Sequence, residues 1–440
     1  MSVYNKILEK TILPAGDFAL GTEYIKHLKY WRELQYKNAG ELASLQRDNL
    51  KKLLEYATKN IPYFRGLNIR KEDDPYLWLK SFPQLTKRLI KDNIDGMVLG
   101  DRDKLHVEKS SGSSGFQGTV YMTKVEASYT QAIQSLWWEW AGYKFGNSLI
   151  QTGISPNRGF IKRIKDILLR TDYVPAFNIP EEFVVKKLRE MERKPKDHFG
   201  GYASSLYVFA KTAKEHNISG VSFKSVFSWG DKMFPHFRKL IEEQFNTKVF
   251  DSYGCTEGLM MAAQNDFEEY YIMTPHIHLE ILDKEGNEVP DGELGYVVIT
   301  RLDCYTMPLI RYYLGDLAVK SAQKPGKAGK LGFPTLTKII GRDTDIIKTA
   351  SGKYMVVHSF TGIFEHIPEI KQFRVIQRVH EEIEIEIIPD NGYNDSHMDM
   401  IREKIHGYLK EKFPVIIRIV DFIPDTASGK PQIIQSFLTE

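Results

Sequence analysis

The sequence predicts an α/β protein with a large N-terminal domain of mixed and parallel sheets with helices, followed by a small C-terminal α+β domain. Three observations carry this. Between residues 221 and 250 an apolar β-branched run (221–229), a helical stretch (234–245) and a short strand (248–250) alternate, which implies parallel sheet. Beyond residue 272 strands dominate. After Gly341 two strand patterns, one helical pattern and a further strand make up a compact α+β set.

The bounds agree. A chain of 440 residues is long for one compact domain. Hydrophobic residues make up 42% and charged residues 27%, ordinary values for a globular protein. A net charge of +3 argues against a dedicated nucleic-acid binder. The two cysteines, Cys255 and Cys304, form neither a disulfide framework nor a zinc pattern, so a reducing, cytoplasmic setting is expected. Charges at Lys6, Glu9, Lys10 and Asp17 interrupt the N-terminus and exclude a signal-peptide core. No uncharged run of about 18 apolar residues exists, so no membrane span is expected.

In chain order, residues 22–60 are expected to be helical. Leu42, Leu45, Leu50, Leu53, Leu54 and Ala57 recur at helical spacing, and Lys51, Lys52 and Glu55 fill the other face. Pro62 ends that helix and Pro83 marks a further break. Thr119, Val120 and Tyr121 read as a strand. Residues 125–143 form an amphipathic helix whose Trp137, Trp138 and Trp140 pack a core or line a pocket. The basic run from Arg158 to Arg170 reads as a solvated helix face, with nucleic-acid or anionic-lipid contact as the alternative. Residues 181–193 and 203–217 are helical. Strands are expected at 277–282 and 295–301 around a turn at 284–287, and a Lys- and Gly-rich loop at 322–332. Further strands at 370–379, 382–388 and 415–422 frame a helix at 398–412. A boundary near residues 341–345 divides the chain into domains 1–342 and 343–440.

Five constellations bear on chemistry. Ser110, Ser111, Gly112, Ser113, Ser114 and Gly115 can turn amide and hydroxyl donors inward around a polyphosphate, although a flexible linker has the same composition. The segment lacks the spacing of a P-loop. Asp251-Ser252-Tyr253-Gly254-Cys255-Thr256-Glu257 follows a predicted parallel strand, where open sheets place ligand groups. There Tyr253 can offer a ring face to a base, and Glu257 is an oxygen ligand suited to magnesium; a solvated turn is the competing reading. In Met307-Pro308-Leu309-Ile310-Arg311-Tyr312-Tyr313-Leu314-Gly315-Asp316 the final carboxylate can accept two ribose hydroxyls, or simply end a strand. Gly341-Arg342-Asp343-Thr344-Asp345 is a charged turn at the domain boundary. Ser428-Gly429-Lys430 holds a lysine that can neutralise charge developing at phosphorus, or lie idle on the surface.

Taken in order and spacing, the five segments resemble the adenylate-forming superfamily of acyl-CoA synthetases, and within it the phenylacetate–CoA ligase and CapK-like group. Asn60-Ile61-Pro62-Tyr63-Phe64-Arg65 resembles the same group, so the resemblance covers nearly the whole chain. It implies an acid–thiol ligase that activates a carboxylic acid with Mg-ATP to acyl-AMP and pyrophosphate, then passes the acyl group to a thiol, CoA being the expected acceptor. Ser110 to Gly115 would cradle the phosphates, and Gly230, Asp231 and Lys232 would line the adenine. Asp251 and Tyr253, with Gly254 beside them, would meet the base. Thr256 would touch the α-phosphate and Glu257 would hold magnesium. Asp316 would bind the ribose, with Arg342 nearby, and Lys430 would be the adenylation lysine. The C-terminal domain would be a mobile lid. Partners would be a small acid and CoA, with room for a homodimer. Trp137, Trp138, Tyr202, Phe227 and Trp229 are compatible with an aromatic acid and equally with core packing. The chain departs from the group at Phe116-Gln117-Gly118 after the phosphate loop, at Tyr313 and Leu314, and at Thr344 in the hinge turn. The alternatives are an adenylating enzyme with an amine or hydroxyl acceptor in polysaccharide or cofactor biosynthesis, and a silent nucleotide-binding scaffold.

Overall fold

The computed structural model describes residues 3–109, 118–153, 159–177, 179–255, 257–266, 269–323, 325–326, 330–342, 346–351, 353–364, 367, 369–424 and 433–438. Residues 110–115, Thr256, the turn residues 343–345 and Lys430 lie outside this set. The chain divides into two compact units. The larger runs from the N-terminus to residue 339 less 315–317; the smaller takes 315–317 and runs from 340 onward.

The larger unit opens with helices Tyr24–Leu34 and Ala39–Asn60. The sequence pattern suggested one helix over 22–60. Asn38 breaks it, because its side chain accepts from the Glu41 amide while Glu41 accepts from the Asn38 amide, a capping box that starts a new helix. Leu42, Leu50, Leu53, Leu54 and Ala57 are buried, as their spacing requires. A hairpin pairs β1 (His106–Lys109) with β2 (Thr119–Met122). Helix Lys124–Trp140 follows, with Trp137 in the core and its indole N–H donating to the Met273 sulfur.

An eleven-stranded sheet forms the body of this unit. Its strands are β3 (Leu149–Gly153), β4 (Thr171–Pro175), β5 (His198–Tyr202), β6 (Ser225–Trp229), β7 (Val249–Cys255), β8 (Leu259–Gln264), β9 (Tyr270–Ile272), β10 (Ile277–Leu282), β11 (Leu294–Arg301), β12 (Tyr312–Lys320) and β13 (Thr335–Arg342). In space the order is β10-β11-β12-β13-β9-β8-β7-β6-β5-β3-β4. The strip from β4 to β7 is parallel. At β7 the sheet changes character: β7 with β8, β8 with β9, β9 with β13 and β10 with β11 all pair antiparallel. Helices Glu181–Arg193, Ala203–Glu215 and Pro235–Phe245 cover the parallel strip, burying Val184, Leu188, Leu206, Phe209, Ile241 and Phe245. The apolar run from Val221 becomes strand only at Ser225, because Lys224 first donates its amide to the Asp197 carbonyl.

In the smaller unit β14 (Ile346–Lys348) pairs with β15 (Tyr354–Val356). A four-stranded sheet holds β16 (Ile370–Val379), β17 (Glu382–Pro389), β18 (Val415–Ile419) and β19 (Ile434–Ser436) in the order β18-β17-β16-β19. Strand β17 alternates Glu and Ile. Ile383, Ile385 and Ile387 are buried against helix Ser396–Leu409 and its Ile401 and Ile405, while Glu386 pairs with Arg374. The strand 415–422 ends early, at Ile419. No helix of the described residues is long and apolar enough to cross a membrane.

Candidate active site

The parallel strip decides where ligand chemistry can sit, at the C-terminal ends of its strands. Strand β6 ends at Trp229 and passes into Gly230, Asp231 and Lys232. Strand β7 carries Asp251, Tyr253 and Gly254. Ser228 is in register with Asp251, so residues 230–231 and 253–254 come out level on neighbouring strands. Gly230 has φ +80°, and a Cβ there would stand 2.4 Å from the Tyr202 ring. Only glycine serves both needs.

The carboxylates just here turn inward. Asp231 accepts from the Ala203 and Ser204 amides and from the Ser204 hydroxyl. It thereby caps helix Ala203–Glu215, whose own N-cap residue, Tyr202, provides no side-chain bond. Asp251 is buried and accepts from the Ser228 hydroxyl and, at 2.6 Å, from Tyr270. Burial is the main influence on its acidity and raises its pKa, against the lowering effect of those hydroxyls. Its amide donates to Gln264, which also accepts from Arg238. Tyr253 is buried in the core opposite Ala262 of β8, next to an irregularity in the ladder at Gly254. Tyr270, Gln264 and Arg238 carry no motif, and sequence reasoning did not find them.

Glu257 stands where the strand-following turn was expected to put a metal ligand. It is 4% exposed. Tyr312 donates to its Oε1 at 3.3 Å, and Lys87 Nζ lies 3.6 Å from the same oxygen. Lys87 was missed in the sequence. It arrives because residues 85–87 run beside the start of β12: the Leu85 amide donates to the Arg311 carbonyl, and the Tyr313 amide donates back to Leu85, both at 2.9 Å. Arg311 fixes that junction. At φ +51° it turns its guanidinium into the core, onto Glu280 at 3.2 Å and the Phe82 carbonyl at 3.2 Å. The arginine of the Met307–Asp316 segment is thus a clamp, and the neighbouring Tyr312 meets the candidate metal ligand. One signal for Lys87 was available. It is the first residue of helix Lys87–Asp92, capped by Thr86, where the helix dipole disfavours a cation.

Asp316 is half-buried within β12, and Arg342 closes β13 after Gly341, which has φ +105°. At the end of β6, Trp138 stacks on Phe227 with centroids 5.2 Å apart and on Trp229 at 6.0 Å, while Tyr202 packs on Phe177 at 4.9 Å. Among the described residues no three His, Cys, Asp or Glu converge as a metal cluster. Magnesium takes one or two carboxylates and completes its shell with phosphate and water. A buried hard oxygen at Glu257 fits such an ion.

The fold and this strand-end site define a class. The structure superposes on 2-hydroxyisobutyryl-CoA ligase in the postadenylation state with a TM-score of 0.71 at 16% identity, covering 92% of this chain and 91% of that one. The fold is that of the adenylate-forming enzymes. Residues 347–436 match the CapK C-terminal domain. Protein CapK of Staphylococcus aureus is 23% identical over 94% of this chain and 93% of its own length. The phenylacetate-coenzyme A ligase of Thermus thermophilus is 22% identical over 91% of this chain and 96% of its own. Over nearly its whole length the chain is similar to the CapK and phenylacetate–coenzyme A ligase group of the adenylate-forming enzymes.

Proposed function

We propose that the protein is an acid–thiol ligase that activates a small carboxylic acid with ATP. A carboxylate oxygen attacks the α-phosphorus, the bond to pyrophosphate breaks, and acyl-AMP forms; a thiol, CoA in this reading, then displaces AMP. The observation that carries the proposal is Glu257, buried at the end of the parallel strip and flanked by Lys87 and Tyr312, in a chain similar to these ligases over almost its full length.

The acid faces a strong obstacle: two anions must meet. Catalysis is therefore positioning and charge stabilisation. Glu257 is the residue that would hold magnesium, which supplies charge neutralisation on the phosphates when bound. The backbone at Gly230 and Gly254 lets a ligand approach closely. We assign base contact to Tyr253, with Asp231, Lys232 and Asp251 as its supports, and ribose binding to Asp316 with Arg342 close by. We assign the phosphates to residues 110–115 and Thr256. Lys430 is assigned to bridge carboxylate and phosphate, and residues 343–440 to act as the lid that carries it. The stack of Trp138 on Phe227 and Trp229 suits an aromatic acid. A reaction that draws on ATP and CoA suits the cytoplasm, in keeping with Cys255 and Cys304 standing outside any disulfide. Light scattering on the purified chain decides between a monomer and a homodimer.

The test is pyrophosphate exchange across a panel of carboxylic acids, with and without CoA. Acid-dependent exchange and CoA-dependent thioester are expected. Lys430→Ala should lose acyl-AMP formation yet convert supplied acyl-AMP to thioester; normal pyrophosphate release by this variant would remove Lys430 from its role. Exchange with an acceptor other than CoA would move the chain to the amine- or hydroxyl-acylating alternative.

A further inference from the structure

The helix Phe160–Leu168 is the basic run that the adenylation site does not absorb. At 3.6 residues per turn, positions 164, 167 and 168 are apolar and share one arc. Arg163 and Lys165 stand at the two edges of that arc, and Lys162 stands opposite it. In a helix docked on a sheet, such an arc is normally covered. This helix lies against β4, the edge strand of the large sheet, yet Ile164 is 42% exposed and Ile167 75% exposed. Leu168, with the following Leu169, is packed against the core cluster that holds Trp137 and Tyr143. Lys162, Arg163 and Lys165 are exposed as well.

The apolar exposure continues onto the neighbouring helix. The Tyr4 hydroxyl donates to the Leu168 carbonyl at 2.7 Å, and Val3 and Ile7 of helix Val3–Ile7 are 75% and 46% exposed, with exposed Lys6 between them. From 159 to 170 the chain carries four basic residues against one acidic, Asp166.

We propose that this face docks on the surface of an anionic lipid bilayer. Ile164 and Ile167, joined by Val3 and Ile7, enter the boundary between headgroups and acyl chains, and Lys162, Arg163 and Lys165 meet the lipid phosphates. Binding of this kind adds apolar burial to electrostatic attraction and needs no spanning helix. Charge selects this occupant. A second copy docked through the same patch would set like charges against each other. A nucleic acid would meet the cations and leave the isoleucines without an apolar partner.

The test is co-sedimentation of the full chain with vesicles of phosphatidylcholine alone, and of phosphatidylcholine mixed in equal parts with phosphatidylglycerol. Sedimentation is expected with the mixed vesicles only, weakening as ionic strength rises toward about 0.5 M. The double variant I164E/I167E should partition at least about tenfold more weakly. Ile167→Ser, a change at a largely exposed side chain, should weaken it several-fold with an unchanged thermal melt, which keeps the test valid if the double variant does not fold. K162E/R163E should remove the preference for the anionic lipid. The proposal is overturned if the wild-type chain stays in solution with both vesicles, binds both equally, or loses nothing in I167S and K162E/R163E. It is equally overturned if light scattering finds a dimer that I167S dissociates, since the face would then join two copies.

Discussion

Asp251 and Glu257 lie on one strand and the turn that follows it, both are buried, and the chain uses them differently. Asp251 is held by two protein hydroxyls, Ser228 and Tyr270, and its pKa is raised by burial. Glu257 faces a lysine and a phenol delivered from distant segments, Lys87 and Tyr312. The difference teaches that two acidic residues in one motif need not share surroundings: one is held by neighbouring strands, and the other by segments far off in the chain.

The largest effect should come from breaking the Glu257 half. Glu257→Gln keeps the size and the Tyr312 contact but removes the charge. Acid-dependent pyrophosphate exchange should fall by about 10²-fold or more, while the unpaired Lys87 lowers the melting temperature by only a few degrees. Exchange near the wild-type rate would deny Glu257 the metal. Breaking the Asp251 half should do the reverse. Asp251→Ala leaves the Ser228 and Tyr270 hydroxyls and the space between them unsatisfied, at a cost of about 3 kcal/mol in a denaturant titration. Asp251→Asn, which resembles the neutral carboxyl, should cost about 1 kcal/mol. Equal losses in the two variants would mean that Asp251 acts as a buried anion.

The same contrast marks what was legible in the sequence. The fold class, the parallel strip around β6 and β7 and the α+β pattern of β16 and β17 follow from periodicity, because alternation such as Glu-Ile-Glu-Ile is imposed by one buried face. The position of Glu257 was legible as a residue following a strand. The inward turn of Asp231 and Asp251 was not, because its cause lies in partners far off in the chain, Ser204 and Tyr270. Strands β3, β4 and β5 gave little signal either. Leu149–Gly153 and His198–Tyr202 carry glycines where Thr152, Tyr173 and Phe227 crowd in, so close packing replaces the β-branched run that marks a strand. Lys87 depends on the Leu85 bridge to Arg311, a contact that no local pattern encodes.

Lys87 offers a finer probe of the pair. Lys87→Met leaves Glu257 buried beside Tyr312 without its cation, so the apo protein should melt a few degrees lower. Mg-ATP then replaces a missing charge in the variant, whereas in the wild type it competes with the lysine. The melting shift on adding Mg-ATP should therefore be larger in the variant than in the wild type. An equal shift in both would mean that Lys87 and the metal do not share Glu257.

The smallest effect concerns the scaffold that aligns β5 with β6 and, through Ser228, Asp251. His198 is fully buried, its Nδ1 lies 2.8 Å from the Ser225 hydroxyl, and Tyr143 and Phe227 pack on its ring. Its Nε2 has no hydrogen-bond partner among the described residues. Burial, the main cause, depresses its pKa to about 4. A base with a depressed folded pKa binds its proton first in the unfolded chain, so stability falls as pH drops from about 6.5 toward 4. Between pH 7 and pH 5.5 the loss from this one ring is about 1 kcal/mol. His278, also depressed to about 4 by burial, adds its own share. His198→Phe keeps a ring, gives up the Ser225 bond and removes the titration, so its stability profile over that interval should be flatter than wild type by about 1 kcal/mol. Parallel acid limbs for variant and wild type would mean that His198 is already charged inside the fold, and that the β5–β6 junction is held by an ion rather than by a neutral ring.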